Sequence, residues 1–491
     1  MIFIKHEHNV VTSSLYQGER AIAAIVKIAQ NNPDQSIVVY KKGIDVALFK
    51  DDIKSLLHPY IIVSSYTRLH NDFGYVEDTP FINVSNAVTY PTWIKSATAF
   101  AIHASLINQL KDQINEKDSL LYWLNSISKL ARPLGVLSYQ IPVYSSDEDQ
   151  FDTTTLYRFV KQHYRTRWIF ILLMCHMWYE KRIPLYAFAK TIFYKSRKIN
   201  LNVEELQNQS LGSKNIYKRL DYDVIIPTMG RSIYLKDVMD DLAKQTILPE
   251  KVVVVEQNQD VNSSSDLGFL NSGKWPFEII HHFIHQTGAC NARNKAVVAT
   301  SASWVLFFDD DNRFDDNVIQ RVFDAINFLN TKALNLAYLQ KGETEKMQAF
   351  KQWESFGSGC SILHRDVIEK CSFDMALEHG YGEDVDYGMQ IRNAGYDVIY
   401  APKIQLLHLK APVGGFRKPH IFPWKADVVQ PKPSPQIMYH RKKNYTHKQL
   451  LGYKMIHFFK WYKNSGVKNP ITYLKQFKKA WDLSERYAKE L

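Results

Sequence analysis

The chain has 491 residues, 45% hydrophobic and 23% charged, enough material for a sizeable core and long enough for two or three domains. Its 13% aromatic content, 20 Gly and 18 Pro exclude a collagen-like, low-complexity or wholly disordered chain. With 61 Lys+Arg against 50 Asp+Glu the net charge is +11, which favours an anionic partner: nucleic acid, a membrane surface or a phosphorylated substrate.

The first 150 residues read as a small α/β domain of unassigned role. Strand-like runs (Ser36–Tyr40, Tyr60–Ser64) alternate in it with helical stretches (Glu19–Gln30, Ala97–Leu110). His6 and His8 have no third metal ligand beside them and read as incidental. The N-terminus, Met1-Ile-Phe-Ile-Lys-His-Glu-His, lacks the pattern of a signal peptide. Cys175, Cys290, Cys360 and Cys371 are widely spaced and read as reduced thiols of a cytosolic protein.

An acidic loop, Ser145–Asp152, marks a boundary, and residues 151–220 form a helical connector and linker. Its helices, over 153–198, are rich in aromatics and bases (Trp168, Trp178, Lys181, Arg182), which suits a bilayer interface or an inter-domain helix. The apolar run Trp168–Tyr179 is twelve residues, short of the ~20 that span a bilayer.

Residues 221–411 carry apolar strands (Val224–Ile226, Lys251–Val255, Trp304–Phe308) separated by helices, the pattern of a parallel α/β sheet covered on both faces. Residues 412–491 follow as a Pro-rich arm and basic helices. Six prolines fall in 412–435, where regular structure is not expected. Thr446 with Gln449 signals a capping box, with Leu451, Met455, Phe458 and Tyr462 on one face. A second helix starts at Asn469-Pro470 and carries a Tyr473, Phe477, Trp481 stripe. From Lys403 to Leu491 there are 19 Lys+Arg against Asp427, Asp482, Glu485 and Glu490; the first 402 residues carry 42 bases and 46 acids. The positive charge therefore belongs to the tail.

Chemistry concentrates in residues 221–411. Phe307-Phe308-Asp309-Asp310-Asp311 ends an apolar strand in three carboxylates, at the sheet edge where α/β folds bind ligands. Their mutual repulsion is relieved by Mg²⁺ or Mn²⁺, or they cap a helix. Gly288-Ala-Cys-Asn-Ala-Arg293 offers a tight turn, a helix start with free N–H groups and an arginine fork for phosphate, or simply a surface helix start. Glu383 and Asp384 open a helix between glycines and suit a general base or a cap. His408 suits a third metal ligand or a packed core position. Trp353 and Phe356, beside Gly357 and Gly359, read as a sugar-stacking platform or as core.

In order, Val224-Ile-Ile-Pro-Thr228, Gly288–Asn294, Asp309-Asp-Asp311, Gly382-Glu-Asp384 and Ile391-Arg-Asn-Ala-Gly395 closely resemble the family 2 glycosyltransferases with the GT-A (Rossmann-like) fold, over about residues 221–411. The resemblance implies inverting, metal-assisted transfer from a nucleotide-sugar, usually a UDP-sugar, with Mn²⁺ or Mg²⁺. It places Pro227, Thr228, Arg231, Glu256, Gly288 and Arg293 around the donor, and Asp309 and Asp310 at ribose and metal. Asp311 and His408 fall at the metal, and Asp384, with Glu383 beside it, at the base. The second strand departs from the family by ending in Glu256-Gln-Asn-Gln-Asp260, which leaves Asp260 sharing the role of Glu256.

The expected product is a surface glycan built on a glycan or lipid-linked acceptor, by a cytoplasmic enzyme peripheral at the inner membrane face. The basic tail would dock there on anionic lipid. A non-catalytic nucleotide- or glycan-binding scaffold and a sugar-phosphate nucleotidyltransferase are the competing readings. The latter usually begins with a Gly-rich phosphate loop, which Pro227-Thr-Met-Gly-Arg231 is not. No nucleic-acid recognition module is evident, so nucleic acid is not an expected partner.

Overall fold

The computed structural model describes residues 1–54, 56–67, 71–143, 149–209, 217, 219–412 and 420–491, with backbone only at 48, 49, 51, 52 and 71. Most of the acidic loop (145–148), much of the linker (210–216 and 218) and part of the Pro-rich arm (413–419) lie outside the described residues. The chain forms two compact units, each built from two separate stretches. The first unites Met1–Leu211 with Asn444–Leu474, the second Gly212–Lys443 with Lys475–Leu491.

The first unit holds a sheet of β1 (Ile2–Glu7), β2 (Val10–Val11), β3 (Ser36–Lys41), β4 (Ile61–Ser65), β5 (Tyr90–Pro91), β6 (Ala99–His103) and β7 (Leu137–Ile141). The order is β2-β1-β3-β6-β4-β7-β5, with β1∥β3 and β4∥β7 parallel and β6 antiparallel to both its neighbours. The expected helix over Ala97–Leu110 is therefore half strand: a helix occupies only Ala104–Leu110. Ala99 to Ile102 are wholly buried, and a central strand covered on both faces is a continuous apolar run that no period separates from a helix.

Asp152 caps the Thr153–His163 helix, its carboxylate accepting from Thr154 and Thr155 N–H. The helices Arg167–Tyr179 and Leu185–Thr191 pack on it around Phe73, Trp93, Tyr122 and Phe159. Met455 enters the same core from the His447–Asn464 helix, whose expected Thr446/Gln449 capping box is formed. Gly74 and Gly452 let that helix approach the 71–75 segment: a Cβ on Gly452 would sit 2.5 Å from the Tyr75 carbonyl oxygen. His6 is buried, donates from its Nε2 to Ala97 O (2.9 Å) and joins no metal cluster among the described residues.

The second unit holds β8 (Tyr222–Thr228), β9 (Lys251–Gln257), β10 (Glu278–Ile284), β11 (Trp304–Phe308), β12 (Asn312–Arg313), β13 (Ala333–Gln340), β14 (Lys351–Gln352), β15 (Cys360–His364) and β16 (Ile399–His408). These form one nine-stranded sheet, β10-β9-β8-β11-β15-β13-β16-β12, with β14 on β16. The half β10∥β9∥β8∥β11 is parallel, as the apolar strands imply. Beyond it the sheet is mixed, which the parallel pattern did not show: β15 runs antiparallel to both β11 and β13. It is as apolar as its neighbours, so composition alone does not reveal its direction.

The tail is more structured than its prolines suggested. A helix spans Pro435–Asn444, with the chain's proline at its first position. In the Pro470–Tyr487 helix Tyr473, Phe477 and Trp481 are buried, as their spacing implies. Part of the basic charge is engaged internally: Lys442 on Glu485 (2.9 Å), Lys443 on Asp374 (2.6 Å) and Asp386 (2.9 Å), Lys448 on Asp72 and Glu180 (2.8 Å to Glu180).

Candidate active site

β8 and β11 lie side by side in parallel register, and their carboxyl ends bring Thr228 to the acidic triplet. Asp310 is buried there. Thr228 Oγ1 donates to its Oδ2 and Arg231 Nη1 to its Oδ1, each at 2.7 Å. Burial raises the Asp310 carboxyl to about 6, against the pull of Arg231 and Thr228. Three residues expected around the donor are thus bonded to one another, and Pro227, half-buried, precedes Thr228 on β8. Asp310 is the member of the triplet turned inward.

Asp311 is equally buried but differently held. His408 Nε2 lies 3.6 Å from its Oδ1, and Ala411 N–H donates to its Oδ2 at 2.8 Å. Burial pushes its pKa up, but His408, the Ala411 amide and Arg231 outweigh this and leave it lowered. The pairing follows from the sheet, since Asn312 on β12 is in register with His408 on β16.

Asp309 is the accessible acid, its side chain 30% exposed. Arg293 Nη2 donates to its Oδ1 at 3.1 Å and the Tyr338 hydroxyl to its Oδ2 at 3.4 Å. The Tyr338 ring stacks on His408 with centroids 4.2 Å apart, a residue that the sequence reading missed. Gly359 runs beneath: a Cβ there would stand 2.1 Å from Asp309 Oδ2. Its role is to let backbone lie against the carboxylate rather than to admit a sugar ring. Phe356 is core, packed with Phe307, Phe373 and Tyr387, and Trp353 stacks on Tyr400 at 4.4 Å. Packing accounts for both.

The helix Ala289–Val298 begins after Gly288, whose φ of +138° only glycine adopts without strain. Its expected open N–H groups are engaged. Glu378 accepts from Cys290 N–H at 3.0 Å and from Asn291 N–H at 2.8 Å, so a carboxylate of the chain sits where an incoming anion was expected. What the segment still offers an anion is Arg293, buried and stacked on Phe373. Glu256 is likewise engaged, by Ser265 Oγ, Asp266 N–H and His281 Nε2 within 2.5–3.0 Å; it pins its own loop to β10. Asp260 shapes an exposed turn, accepting from Asn262 N–H, and shares nothing with Glu256.

Glu383 and Asp384 open the helix Glu383–Asn393 after Gly382, itself at φ +117°. Asp384 Oδ1 is buried without a hydrogen-bond partner. Burial raises the Asp384 carboxyl to about 7; Arg293 pulls it down, Glu383 and Asp309 push it up, and the Ser358 hydroxyl pulls it down. The same Arg293 thus acts on both Asp309 and Asp384. Burial raises Glu383 too. The Pro435–Asn444 helix holds the preceding loop: a Cβ on Gly380 would meet Gln436 at 2.6 Å, the His440 ring lies 3.4 Å from the same point on Gly382, and Lys443 bonds Asp386.

Oxygen donors at Asp309 and Asp311 with an imidazole alongside suit a hard divalent cation. The Asp311–His408 pair fits one, whereas Asp309 is turned to Arg293 and Tyr338. Among the described residues, the ligand atoms that all lie within 4.8 Å of one another belong instead to Asp72, His176 and Glu180 in the first unit. That trio already holds two cations: Arg182 bonds Asp72 (2.9 Å) and Glu180 (2.6 Å), and Lys448 bonds both acids. It is an internal ion network.

Residues 223–370 match the family model described as Glycosyl transferase family 2. The segment is a family 2 glycosyltransferase domain. The match takes in Thr228, Arg293 and the acidic triplet; Glu383, Asp384 and His408 lie beyond it. Solved structures similar to the chain include S. aureus TarS 1–349 in complex with UDP-GlcNAc, at 15% identity and TM-score 0.39, covering 53% of this chain and 79% of that one. Another S. aureus TarS structure (15%, TM-score 0.35) is covered over 42% of its length by 48% of this chain. The mannosyltransferase PcManGT from Pyrobaculum calidifontis in complex with GDP-Man and Mn²⁺ (14%, TM-score 0.32) pairs 56% of this chain with 74% of its own. No curated protein matches the chain. The assignment of the glycosyltransferase domain rests on the family match and on the site geometry described above. No helix among the described residues is long and apolar enough to cross a membrane.

Proposed function

We propose that the chain transfers a sugar from a nucleotide-sugar, a UDP-sugar in the first instance, to a hydroxyl of a glycan or lipid-linked acceptor in surface polysaccharide synthesis, inverting the anomeric centre. The observation that carries this reading is Asp384: a partly buried carboxylate with one unpartnered oxygen, raised to about 7, sharing Arg293 with the accessible Asp309. A base poised near neutrality, within the field of a phosphate-binding arginine, is what proton abstraction from an attacking hydroxyl requires. Asp384 accepts that proton as the acceptor oxygen displaces the nucleotide. Arg293 stabilises the charge growing on the leaving diphosphate. Arg231 and Thr228 fix Asp310 and so hold the donor end of β8 against β11. Asp311 and His408, with Asp309 adjacent, would hold Mn²⁺ or Mg²⁺, which supplies Lewis-acid stabilisation of the leaving group.

On this reading the enzyme works at the inner face of a membrane, and the exposed Lys475, Lys478 and Lys479 of the last helix face an anionic carrier or headgroup. The test is a donor screen with the full chain: nucleotide-sugars with Mn²⁺, read as released nucleotide. Turnover of one donor, lost in Asp384→Asn with donor binding retained, supports the proposal. Binding without turnover of any donor in the presence of glycan acceptors would leave a nucleotide-binding scaffold in its place.

A further inference from the structure

We propose that the outward face of the Arg167–Tyr179 and Leu185–Thr191 helices is a docking surface for a bilayer with anionic headgroups, on which the chain lies without crossing. Both helices pack on the Thr153–His163 helix and meet each other edge to face through Phe170 and Phe188, centroids 5.2 Å apart. Their outward residues therefore form one surface. On the first helix Phe170, Met177 and Trp178 stand at i, i+7 and i+8 and are exposed. Tyr186 on the second helix and Phe193 just after it continue the face, and the exposures of 62% for Trp178, 72% for Tyr186 and 89% for Phe193 are far above those of aromatics with a protein partner.

Charge identifies the occupant. From Arg165 to Lys198 there are eight bases and a single acid, Glu180, which already accepts from Arg182, Lys448 and Tyr75. Lys181 sits over the Trp178 ring (5.7 Å) and Lys190 over Tyr186 (5.4 Å), so ammonium groups and aromatic rings share one level. Protein interfaces are depleted in lysine. Interfacial helices combine lysine with tryptophan and phenylalanine, the rings at headgroup depth and the cations on lipid phosphates. At thirteen residues, the Arg167–Tyr179 helix spans roughly 20 Å of the ~30 Å hydrocarbon core, so it lies in the interface plane. The proposal stands apart from the sugar-transfer reading, and its test uses no donor.

The test floats the full chain with vesicles of phosphatidylcholine alone and of phosphatidylcholine with phosphatidylglycerol. The wild type should float with the anionic vesicles and be released by salt. Lys181→Glu/Lys190→Glu should weaken that binding at least about tenfold. Trp178→Ser/Phe193→Ser should weaken binding to both kinds of vesicle, and by more than Lys475→Glu/Lys478→Glu does, while Lys341→Glu at an exposed site elsewhere floats like wild type. Circular dichroism and thermal unfolding check that each variant is native, and Tyr186→Ser serves where the aromatic pair is not. Failure of the wild type to float overturns the proposal, as does flotation of the surface variants at wild-type level. Loss confined to the tail variant would move the surface to the last helix. A concentration-dependent dimer by light scattering, abolished by the surface substitutions and indifferent to vesicles, would make it a protein interface.

Discussion

Two clusters of acids in this molecule look alike by composition and differ in what they leave unbonded. Asp72, Glu180 and His176 in the first unit converge closely, yet Arg182, Lys448, Tyr75 and Tyr157 fill their bonding directions. Burial pushes Asp72 up, but the bonds from His176 and Lys448 outweigh it and hold it well below the ordinary carboxylate range. Asp309, Asp310 and Asp311 in the second unit converge less tightly, but Asp309 stays accessible and the neighbouring Asp384 keeps an oxygen without a partner. Proximity of carboxylates marks a stable network; carboxylates with unmet valences mark a site.

The largest effect that would sharpen this contrast is Asp384→Asn, expected to cost about 10²–10⁴-fold in transfer while donor binding measured by calorimetry is retained. Its pH dependence carries a sign. As the proposed base, Asp384 would work only when ionised, so transfer should rise with pH and level off above about 7. The same raised value means that the folded state binds the proton more tightly than the unfolded chain, so this group's contribution to stability falls as pH climbs from about 4 to 7. A flat pH–rate profile would remove Asp384 from the base position.

Next comes Gly359→Ala, which forces a methyl onto the Asp309 carboxylate. Turnover should drop by about 10²-fold, as misplacement near the chemistry does, with thermal stability reduced in parallel. Asp72→Asn should do the reverse: transfer and metal-dependent donor binding unchanged, but stability lower by about 1.5–3 kcal/mol because the half-buried Arg182 and Lys448 lose a buried charged partner. With Asp72 held low, its contribution is present above pH ~4 and lost as pH falls through the native value. Metal binding abolished by Asp72→Asn, in a titration of the full chain with Mn²⁺ alone, would break the comparison. The smallest effect is expected of Lys443→Met, about 1–2 kcal/mol in denaturant unfolding, since the buried Asp386 loses its ammonium partner while the Gln390 amide still donates to it.

Much of the second unit was legible because its physics is local. Val224–Ile226, Val252–Val255 and Trp304–Phe308 are fully buried runs whose apolar character announces itself, and the triplet that follows the last of them cannot be apolar core. What was not legible depended on partners remote in sequence. Glu378 reaches the helix start at Cys290 from 88 positions away, so the free N–H groups expected there could not be seen to be taken. Tyr338 carries no local signal, and it becomes part of the site only because β13 lies beside β16 and His408. The direction of β15 and the strand at Ala99–His103 were hidden for one reason: full burial erases the alternation that distinguishes element types. Glu256 was placed at the donor by the family resemblance; that a serine nine residues on and a histidine on the next strand also engage it carries no local signal.

The return of Asn444–Leu474 to the first unit has a consequence for biosynthesis. The polypeptide leaves that unit at Leu211 and supplies its last piece only 233 residues later. At ribosomal speeds of about 5–20 residues per second, roughly ten to fifty seconds pass before Met455 can join the Phe73 core and Lys448 can neutralise Asp72. Throughout that interval the aromatic core beneath Gly74 is open and its acid pair is short of one cation. The first unit is thus begun first on the ribosome and completed only after most of the second has been made.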